Sequence, residues 1–271
     1  MKLTPRVIAM DLDDTLLKHD LSISDRTVDT LNRCADLGII IMLASGRAPE
    51  AMYQYAERLG LHTRSSYLIC HNGSHAIESD TRKTILEHRL PTDIALEAFR
   101  LTLDAGLSCH IYEGDRIIVS RETAYSDRDK ELSGLIPIIP DDYEQVIRNG
   151  VYKLVIPGDP EFIVPVEAEF KVLFKDRATV FVSKPFFMEI LPLQAGKGEA
   201  LRDISTGILG LPQAQVMAFG DSMNDESMIA WAGMSVAMSN SRREILHLAR
   251  YRTDLSNDED GIADFLEKHV L

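Results

Sequence analysis

Short, wholly apolar runs recur along the chain and are separated by longer mixed segments. Val7–Met10, Ile39–Leu43, Tyr67–Cys70 and Val216–Phe219 each hold only apolar residues. Runs this short and this apolar are typical of strands covered on both faces, as in a parallel sheet. The pattern therefore predicts at least four buried parallel strands.

Helical patterns fill the intervals between these runs. Ser24 is a plausible N-cap, Gly38 is a C-terminal stop, and the apolar residues between them are Val28, Leu31, Ala35 and Leu37. A second helix is predicted from Pro49 to Leu59, ended by Gly60. Alternating strands and helices predict an α/β fold with a Rossmann-like, doubly wound, mostly parallel sheet.

The middle of the chain follows a different pattern after Asp80. A helix is predicted over 92–105, then a pair of strand-like runs, and after these a loop rich in Pro and Ile. Strand-like runs in this region are Ser108–Tyr112, Arg116–Ser120, Tyr152–Ile156, Thr179–Val182 and Phe187–Leu191. We predict a catalytic core made of residues 1–83 and 191–271, and an inserted α+β domain over 84–190.

Composition and charge narrow the class of protein. The 271 residues carry a formal net charge of −13, which argues against a protein that binds the phosphate backbone of nucleic acids. No apolar run is long enough to span a bilayer, and the N-terminus lacks the apolar stretch of a signal peptide. The three scattered cysteines fit reduced thiols. A cytoplasmic protein with no nucleic-acid or membrane partner is the expectation.

Polar residues cluster where each apolar run ends. These clusters are Asp11–Thr15, Ser45–Arg47, His71–Gly73 and Gly220–Asp225. Open α/β sheets bind ligands just outside the carboxyl ends of their strands, so four distant segments are expected to converge on one site.

The predicted site is rich in carboxylates, and these need a compensating charge. Two carboxylates about 4 Å apart repel by about 4 kcal/mol at an effective dielectric constant of about 20. Either a raised pKa or a bound cation relieves this repulsion. Oxygen ligands without clustered Cys or His favour Mg2+. The alternative is that these aspartates only cap the following turns and helices.

Four segments in order resemble the motifs of the haloacid dehalogenase superfamily of phosphatases. The segments are Asp11-Leu12-Asp13-Asp14-Thr15-Leu16, Ser45-Gly46-Arg47, Gly196-Lys197-Gly198 and Gly220-Asp221-Ser222-Met223-Asn224-Asp225. Further stretches are similar to the Cof-type branch (type IIB, with a C2 cap): Ile69–Gly73, Met188–Pro192, Val236–Asn240 and Ser256–Ile262. Over the insert the resemblance is only positional. One departure is Asp14, where this branch usually has Gly. We expect its backbone to reach the turn. Its carboxylate either tightens cation binding or faces solvent, and we favour the second.

The resemblance implies a role for each acidic residue. Asp11 would attack phosphorus and form an aspartyl-phosphate, while Asp13 would protonate the leaving oxygen and later deprotonate water. Mg2+ would be held by the Asp11 carboxylate, the Asp13 carbonyl and Asp221, and Asp225 would orient a metal-bound water. Lys197 would offset part of the negative charge.

The resemblance also implies a set of phosphate- and substrate-binding groups. The Ser45 hydroxyl, the backbone N–H groups of Leu12 and Gly46, and the Asn224 amide would hold the phosphate oxygens. Arg47 and Asn72 would contact the substrate or the closed cap, and the cap would select the substrate.

The implied partner is a small phosphorylated metabolite, such as a sugar phosphate, flavin mononucleotide or pyridoxal phosphate, bound by a monomer or homodimer. Three alternatives stay open. A phosphomutase would use the same Asp11 and Asp13, a receiver-type signalling domain combines similar residues in about half the length, and a non-catalytic protein would only bind the metabolite.

Overall fold

The computed structural model describes residues 2–271, which form fourteen strands and ten helices. The first five strands are β1 Val7–Asp11, β2 Ile40–Ala44, β3 Tyr67–Cys70, β4 His75–Glu78 and β5 Thr84–Glu87. The next six are β6 His110–Glu113, β7 Arg116–Val119, β8 Ile136–Ile138, β9 Leu154–Pro157, β10 Ala178–Lys184 and β11 Phe187–Pro192. The last three are β12 Val216–Gly220, β13 Met234–Ala237 and β14 Tyr251–Arg252.

The helices are named in the same way. The first six are α1 Asp25–Asp36, α2 Pro49–Arg58, α3 Thr92–Asp104, α4 Ala124–Ser133, α5 Tyr143–Arg148 and α6 Pro160–Leu173. The last four are α7 Lys197–Arg202, α8 Glu226–Trp231, α9 Arg243–Leu248 and α10 Gly261–His269. Short helical turns lie between several of these elements, and none of the helices within residues 2–271 has the length and apolar character that a bilayer span requires.

The chain separates into two compact units. The first unit comprises the residues up to Gly46, Met52–Leu86 and Gly196–Leu271, and the second comprises Arg47–Ala51 and Glu87–Ala195. The predicted insert, 84–190, did not include residues 47–51. These belong with the second unit because the Ala48 and Ala51 side chains pack in one apolar cluster with residues of β7.

The first unit is built on an eight-stranded sheet in the order β14-β13-β12-β1-β2-β3-β4-β5. The strand pairs from β14 to β3 are parallel, and β4 runs antiparallel to β3. The chain moves in one direction from β1 to β2 and β3, and places β12 on the opposite side of β1. The predicted α/β fold with a mostly parallel sheet is confirmed, and β1 and β12 flank its topological switch point.

Both faces of this sheet are covered, as the apolar runs predicted. Ile8 and Met10 pack on one face with residues of α1, α2 and α10. Val7 and Ala9 pack on the other face with residues of α7, α8 and α9. Because alternate residues of a strand point to opposite faces, a strand with two covered faces must be apolar throughout.

The first predicted helix begins where its sequence indicated. The Ser24 side chain accepts a hydrogen bond from the Thr27 backbone N–H, which is the N-cap interaction. The helix ends before Gly38, whose φ of 81° is in the left-handed region that glycine adopts readily. This helix carries the chain from the end of β1 back to the start of β2.

The second unit has a six-stranded sheet in the order β10-β11-β9-β6-β7-β8, packed on one face against α3, α5 and α6. Its pairs are antiparallel except for β7 and β8. The predicted Pro- and Ile-rich loop is wrong at 136–138, where β8 forms. Pro137 is compatible with this strand because β8 lies at the sheet edge, where a missing N–H leaves no ladder bond broken.

Candidate active site

The carboxyl ends of β1, β2 and β12 bring the predicted catalytic segments together. Asp11 is the last residue of β1 and pairs in register with Ala44, so Ser45 follows directly beside it. On the other side Met10 pairs with Phe219, which brings the Gly220-Asp221 turn next to Asp11. The predicted convergence is therefore present in the first unit.

Lys197 lies at the centre of the acidic cluster. Its Nζ donates hydrogen bonds to Asp11 Oδ1 and Asp225 Oδ1, each at 2.6 Å, and the side chain is buried. Lys197 begins α7, and the backbone approaches closely on both sides of it. A Cβ on Gly73 would lie 2.1 Å from the Gly196 carbonyl oxygen, and a Cβ on Gly198 would lie 2.3 Å from the Ser227 backbone. Glycine at these positions allows the lysine to reach the two carboxylates.

Asp225 and Asp221 are fixed by hydrogen bonds from the surrounding loops. Asp225 Oδ2 accepts from the backbone N–H of Asp221 at 3.0 Å and of Ser222 at 3.2 Å. Asp221 Oδ1 accepts from the Thr15 hydroxyl at 2.9 Å. Asp225 thus has one oxygen on Lys197 and the other on the loop backbone, and Asp221 is tied to the loop that follows β1.

Three carboxylates form a group with the spacing of a metal site. Asp11, Asp221 and Asp225 each offer one oxygen, and these oxygens lie within 4.8 Å of one another. Burial and the charge of Asp225 raise the pKa of Asp11 well above its usual range, although Lys197 opposes this shift. Burial, followed by the charge of Asp225, also raises the pKa of Asp221 to about 7. The cluster holds more negative charge than one lysine balances.

Burial and the neighbouring carboxylates shift the pKa of Lys197 in opposite directions. Burial lowers the pKa of Lys197, but the charges of Asp11 and Asp225 and their hydrogen bonds outweigh it, so the pKa is raised. Lys197 is therefore a permanent cation at neutral pH.

Asp13 and Asp14 lie in the turn after β1, Leu12–Leu16. Asp13 is half-buried, and its charge contributes to the raised pKa of Asp11. Asp14 has a φ of 58° and a side chain that is 51% exposed. The expected turn backbone and solvent-facing carboxylate of Asp14 are both present. Leu12 is buried immediately after Asp11.

The predicted phosphate-binding residues form a second group beside Asp11. The Ser45 carbonyl accepts a hydrogen bond from the Asn72 N–H at 2.9 Å, and the Asn224 amide donates to Asn72 Oδ1 at 3.3 Å. A Cβ on Gly46 would lie 3.0 Å from Asn72 Nδ2. Ser45, Gly46, Asn72 and Asn224 are therefore neighbours, although they come from three separate segments.

Arg47 follows this group in sequence but bonds elsewhere. Its guanidinium donates a hydrogen bond to the Leu132 carbonyl oxygen at 2.6 Å, within the second unit. Its predicted substrate contact stays a prediction.

Two residues that touch the site were not among the predicted site residues. Thr15 bonds Asp221, and Asn240 Nδ2 donates to the Asp14 carbonyl oxygen at 2.8 Å. Thr15 lies inside the first motif, so its position in the motif indicated it. Asn240 belongs to a stretch that resembled the Cof-type branch but had no role attached to it.

Comparisons with known proteins agree with this geometry. A sequence model of haloacid dehalogenase-like hydrolases matches residues 8–266. The HMP-PP phosphatase of Shigella flexneri serotype 5b is 31% identical over 252 residues, covering 90% of this chain and 89% of that protein. Two solved structures also align with this chain over nearly their whole length.

A haloacid dehalogenase-like hydrolase from Bacteroides thetaiotaomicron has a similar crystal structure. It is 30% identical, with a TM-score of 0.89, and the match covers 97% of this chain and 99% of that one. The HAD subclass IIB sugar phosphatase BT4131 is similar in fold, with a TM-score of 0.81 at 21% identity, over 97% of this chain and 98% of that one.

Proposed function

This chain belongs to the haloacid dehalogenase-like hydrolase family, and we propose that within it the protein is a Mg2+-dependent phosphatase of small phosphorylated metabolites. The match confirms the predicted superfamily and the predicted hydrolase class. The mechanism, the metal and the role of each residue are part of the proposal.

The observation that carries the proposal is the environment of Asp11. Its carboxylate ends the central strand, is buried, and is bonded to Lys197 among two further carboxylates. A buried carboxylate that must approach a phosphate dianion needs fixed positive charge around it, because the two anions otherwise repel.

In the first step, Asp11 attacks phosphorus in line with the ester oxygen. A bond forms between the Asp11 carboxylate oxygen and phosphorus while the bond from phosphorus to the ester oxygen breaks. Asp13, two residues along the same turn, donates its proton to the departing alkoxide. The products of this step are an aspartyl-phosphate on Asp11 and the free alcohol.

In the second step, water replaces Asp11 on phosphorus. Asp13, now ionised, accepts a proton from the attacking water. The bond from phosphorus to the Asp11 oxygen breaks, which releases inorganic phosphate and restores both carboxyl groups to their starting states. The hydroxyl of Ser45, the N–H groups of Leu12 and Gly46, and the Asn224 amide stabilise the charge on the phosphoryl oxygens in both steps.

The residues present fit a magnesium ion. A phosphate dianion together with Asp11, Asp221 and Asp225 carries about five negative charges, and Lys197 offsets one of them. The donors are hard oxygens, which Mg2+ prefers, and they would be the Asp11 and Asp221 carboxylates and the Asp13 carbonyl. When bound, Mg2+ supplies two positive charges that polarise the phosphoryl group. Because both Asp225 oxygens already accept hydrogen bonds, Asp225 suits a place behind the metal ligands.

The substrate is proposed as a class. The HMP-PP phosphatase among the relatives adds HMP-PP to the sugar phosphates, flavin mononucleotide and pyridoxal phosphate that the resemblance implied. We also propose a cytoplasmic location and a monomer or homodimer. The buried thiols of Cys34, Cys70 and Cys109 form no disulfide, which fits a reducing compartment.

The test is phosphate release from this panel of esters in the presence of Mg2+. Asp11→Asn should lower kcat by about a thousandfold or more, because the amide is a poor nucleophile at phosphorus. A chelator should abolish wild-type activity, and added Mg2+ should restore it. The matched control is Asp29→Asn, an exposed aspartate on α1, which should change kcat less than about twofold.

Equal activity of the wild type and Asp11→Asn would remove the mechanism. A phosphate transfer that depends on a sugar bisphosphate activator, without net release of phosphate, would instead indicate a phosphomutase.

A further inference from the structure

Two asparagines hold the turn that carries Asp13, from outside the four motifs. The Asn240 amide donates to the Asp14 carbonyl oxygen at 2.8 Å, and the Asn257 amide donates to the Leu17 carbonyl oxygen at 2.8 Å. The two side chains are also linked, because the Asn257 N–H donates to Asn240 Oδ1 at 3.2 Å. We name Asn240 and Asn257 the asparagine pair.

The turn they hold is not regular backbone. Asp13 has φ −66° and ψ 128°, and the next residue, Asp14, has φ 58° and ψ 8°. Residues other than glycine disfavour the left-handed region because Cβ approaches the backbone carbonyl. Asp adopts this conformation more readily than most residues, but at a cost that glycine does not have. The hydrogen bond from Asn240 falls on the carbonyl of Asp14 itself.

The segment that carries Asn240 is anchored to the second acidic turn, Gly220–Asp225. Ser241 Oγ donates to the Gly220 carbonyl at 3.2 Å, and the Arg242 N–H donates to the Asp221 carbonyl at 2.9 Å. The Asn240 side chain therefore connects the turn after β12 with the turn after β1. It adds a backbone link beside the bond from Thr15 to Asp221.

We propose that Asn240 and Asn257 are positioning residues that hold the turn Leu12–Leu16 and the residue after it, Leu17, and so keep Asp13 in the geometry needed for proton transfer. This inference rests on the proposed function, since it assumes that Asp13 is the acid. Neither asparagine needs to touch the substrate. Their contacts with this turn are made to backbone carbonyls, so their effect reaches the chemistry through the backbone of Asp13 and Asp14.

The role predicts a dependence on the leaving group. An alkoxide leaving group needs a proton from Asp13, whereas 4-nitrophenolate leaves without one. Asn240→Ala should therefore lower kcat/KM for an alkyl phosphate by about tenfold or more, within the range of general acid catalysis. The same variant should lower kcat/KM for 4-nitrophenyl phosphate by less than about threefold. Both values report the steps up to departure of the leaving group.

Two further variants separate positioning from a general loss of structure. Asn240→Asp keeps the oxygen that accepts from Asn257 but loses the donor to Asp14, so it should reproduce the alanine result. Asp14→Gly allows the left-handed conformation without strain. In the Asp14→Gly background, Asn240→Ala should lower kcat/KM for the alkyl phosphate by less than about threefold. The control is Asn149→Ala, at an exposed asparagine in the second unit. It should leave kcat/KM unchanged for both substrates.

The proposal would be overturned if Asn240→Ala lowered kcat/KM equally for both substrates, in the wild type and in Asp14→Gly alike. An unchanged kcat/KM on the alkyl phosphate in Asn240→Ala would overturn it as well. Melting curves show whether each variant is folded. Asn257→Ala is made as well, and if it does not fold, the variants at the exposed Asn240 still test the proposal. Failure of the proposed function looks different, because the wild type would then release no phosphate from either ester.

Discussion

At the scale of single residues, Lys197 decides the electrostatics of the site. Its ammonium group is buried and shared between Asp11 and Asp225. Water cannot replace a buried counter-ion, so removing it leaves the two carboxylates uncompensated. The lysine therefore has a structural role in the resting protein as well as its proposed role toward the phosphate.

Lys197→Met tests this double role. The variant keeps the length of the side chain and removes the charge, so kcat should fall by about a hundredfold or more. The matched control is Lys268→Met, because Lys268 is exposed and pairs with Asp254 and Asp264. Steady-state kinetics with melting curves provide the measurement. Retention of more than about a tenth of the activity would contradict the role.

The buried cysteines give a prediction about pH. Burial raises the pKa of Cys109 to about 12 and that of Cys34 to about 11. The folded protein holds these protons more tightly than the unfolded chain, so their contribution to stability is full below the unfolded pKa. That contribution falls as the pH rises above about 9. Iodoacetamide at pH 8 should therefore label both thiols at least about a hundredfold more slowly in the native protein than in urea. Similar rates in the two conditions would show that the thiols are accessible.

At the scale of elements, α7 is placed by close backbone packing against α8. A Cβ on Gly198 would meet the backbone of Ser227, which no change of rotamer can relieve. Gly207, in the helical turn that continues α7, has open space around its Cβ position. These two glycines of the same helical region therefore serve different purposes.

The pair Gly198→Ala and Gly207→Ala measures this difference. Gly198→Ala should lower the free energy of unfolding by about 1–3 kcal/mol or more through overpacking, and should lower kcat by displacing Lys197. Gly207→Ala should leave kcat unchanged and raise the free energy of unfolding by about 0.4–1 kcal/mol. Urea denaturation and kinetics measure both effects. Equal stability of the two variants would contradict the packing argument.

In the second unit, Lys153, the residue just before β9, and Glu189 of β11 form a buried ion pair. Lys153 Nζ lies 2.7 Å from Glu189 Oε2, and both side chains are buried. The neighbouring residues Leu154 and Ile190 point to the opposite face, into the apolar core of this unit. The sheet therefore separates a polar pair from an apolar core by strand alternation alone.

A double-mutant cycle tests the pair. Lys153→Met and Glu189→Leu alone should each lower the free energy of unfolding by about 3–5 kcal/mol, because each removes one member of a buried ion pair. The double variant should be more stable than either single variant. The control is the surface pair of Lys171, which is exposed, and Glu167, which is half-buried, with changes of less than about 0.5 kcal/mol. Additive losses would show that the two charges do not depend on each other.

At the scale of the whole molecule, Mg2+ should act on stability by binding the native state. Saturating Mg2+ should raise the free energy of unfolding, by about 2.7 kcal/mol at a hundred times the dissociation constant. In Asp221→Asn, Mg2+ should no longer raise the free energy of unfolding in this way. Because the net charge is −13, the control is NaCl at equal ionic strength, which measures screening alone. If NaCl raised the free energy of unfolding of the wild type as much as Mg2+ does, this would argue against a specific Mg2+ site.

The sequence was most informative where a continuous apolar run ends in a cluster of polar residues. The strand Tyr67–Cys70 was located to the residue, and the polar clusters after the strands identified the residues that meet at Lys197. It was least informative where a side chain bonds a backbone carbonyl. The contacts from Arg47 to Leu132 and from Asn240 to Asp14 leave no periodic pattern, because any residue supplies the carbonyl. The strand β8 was missed because Pro137 lowers strand propensity except at an edge.

The order of the strands has a consequence for synthesis on the ribosome. β1 lies between β2 and β12, yet β12 is made only after the whole second unit has been translated. Until then β1, at the middle of the finished sheet, is an open edge, and Asp11 lacks the lysine that follows it by 186 positions. A nascent chain halted before Lys197 would expose an apolar edge for another chain to join, and it would hold no competent nucleophile.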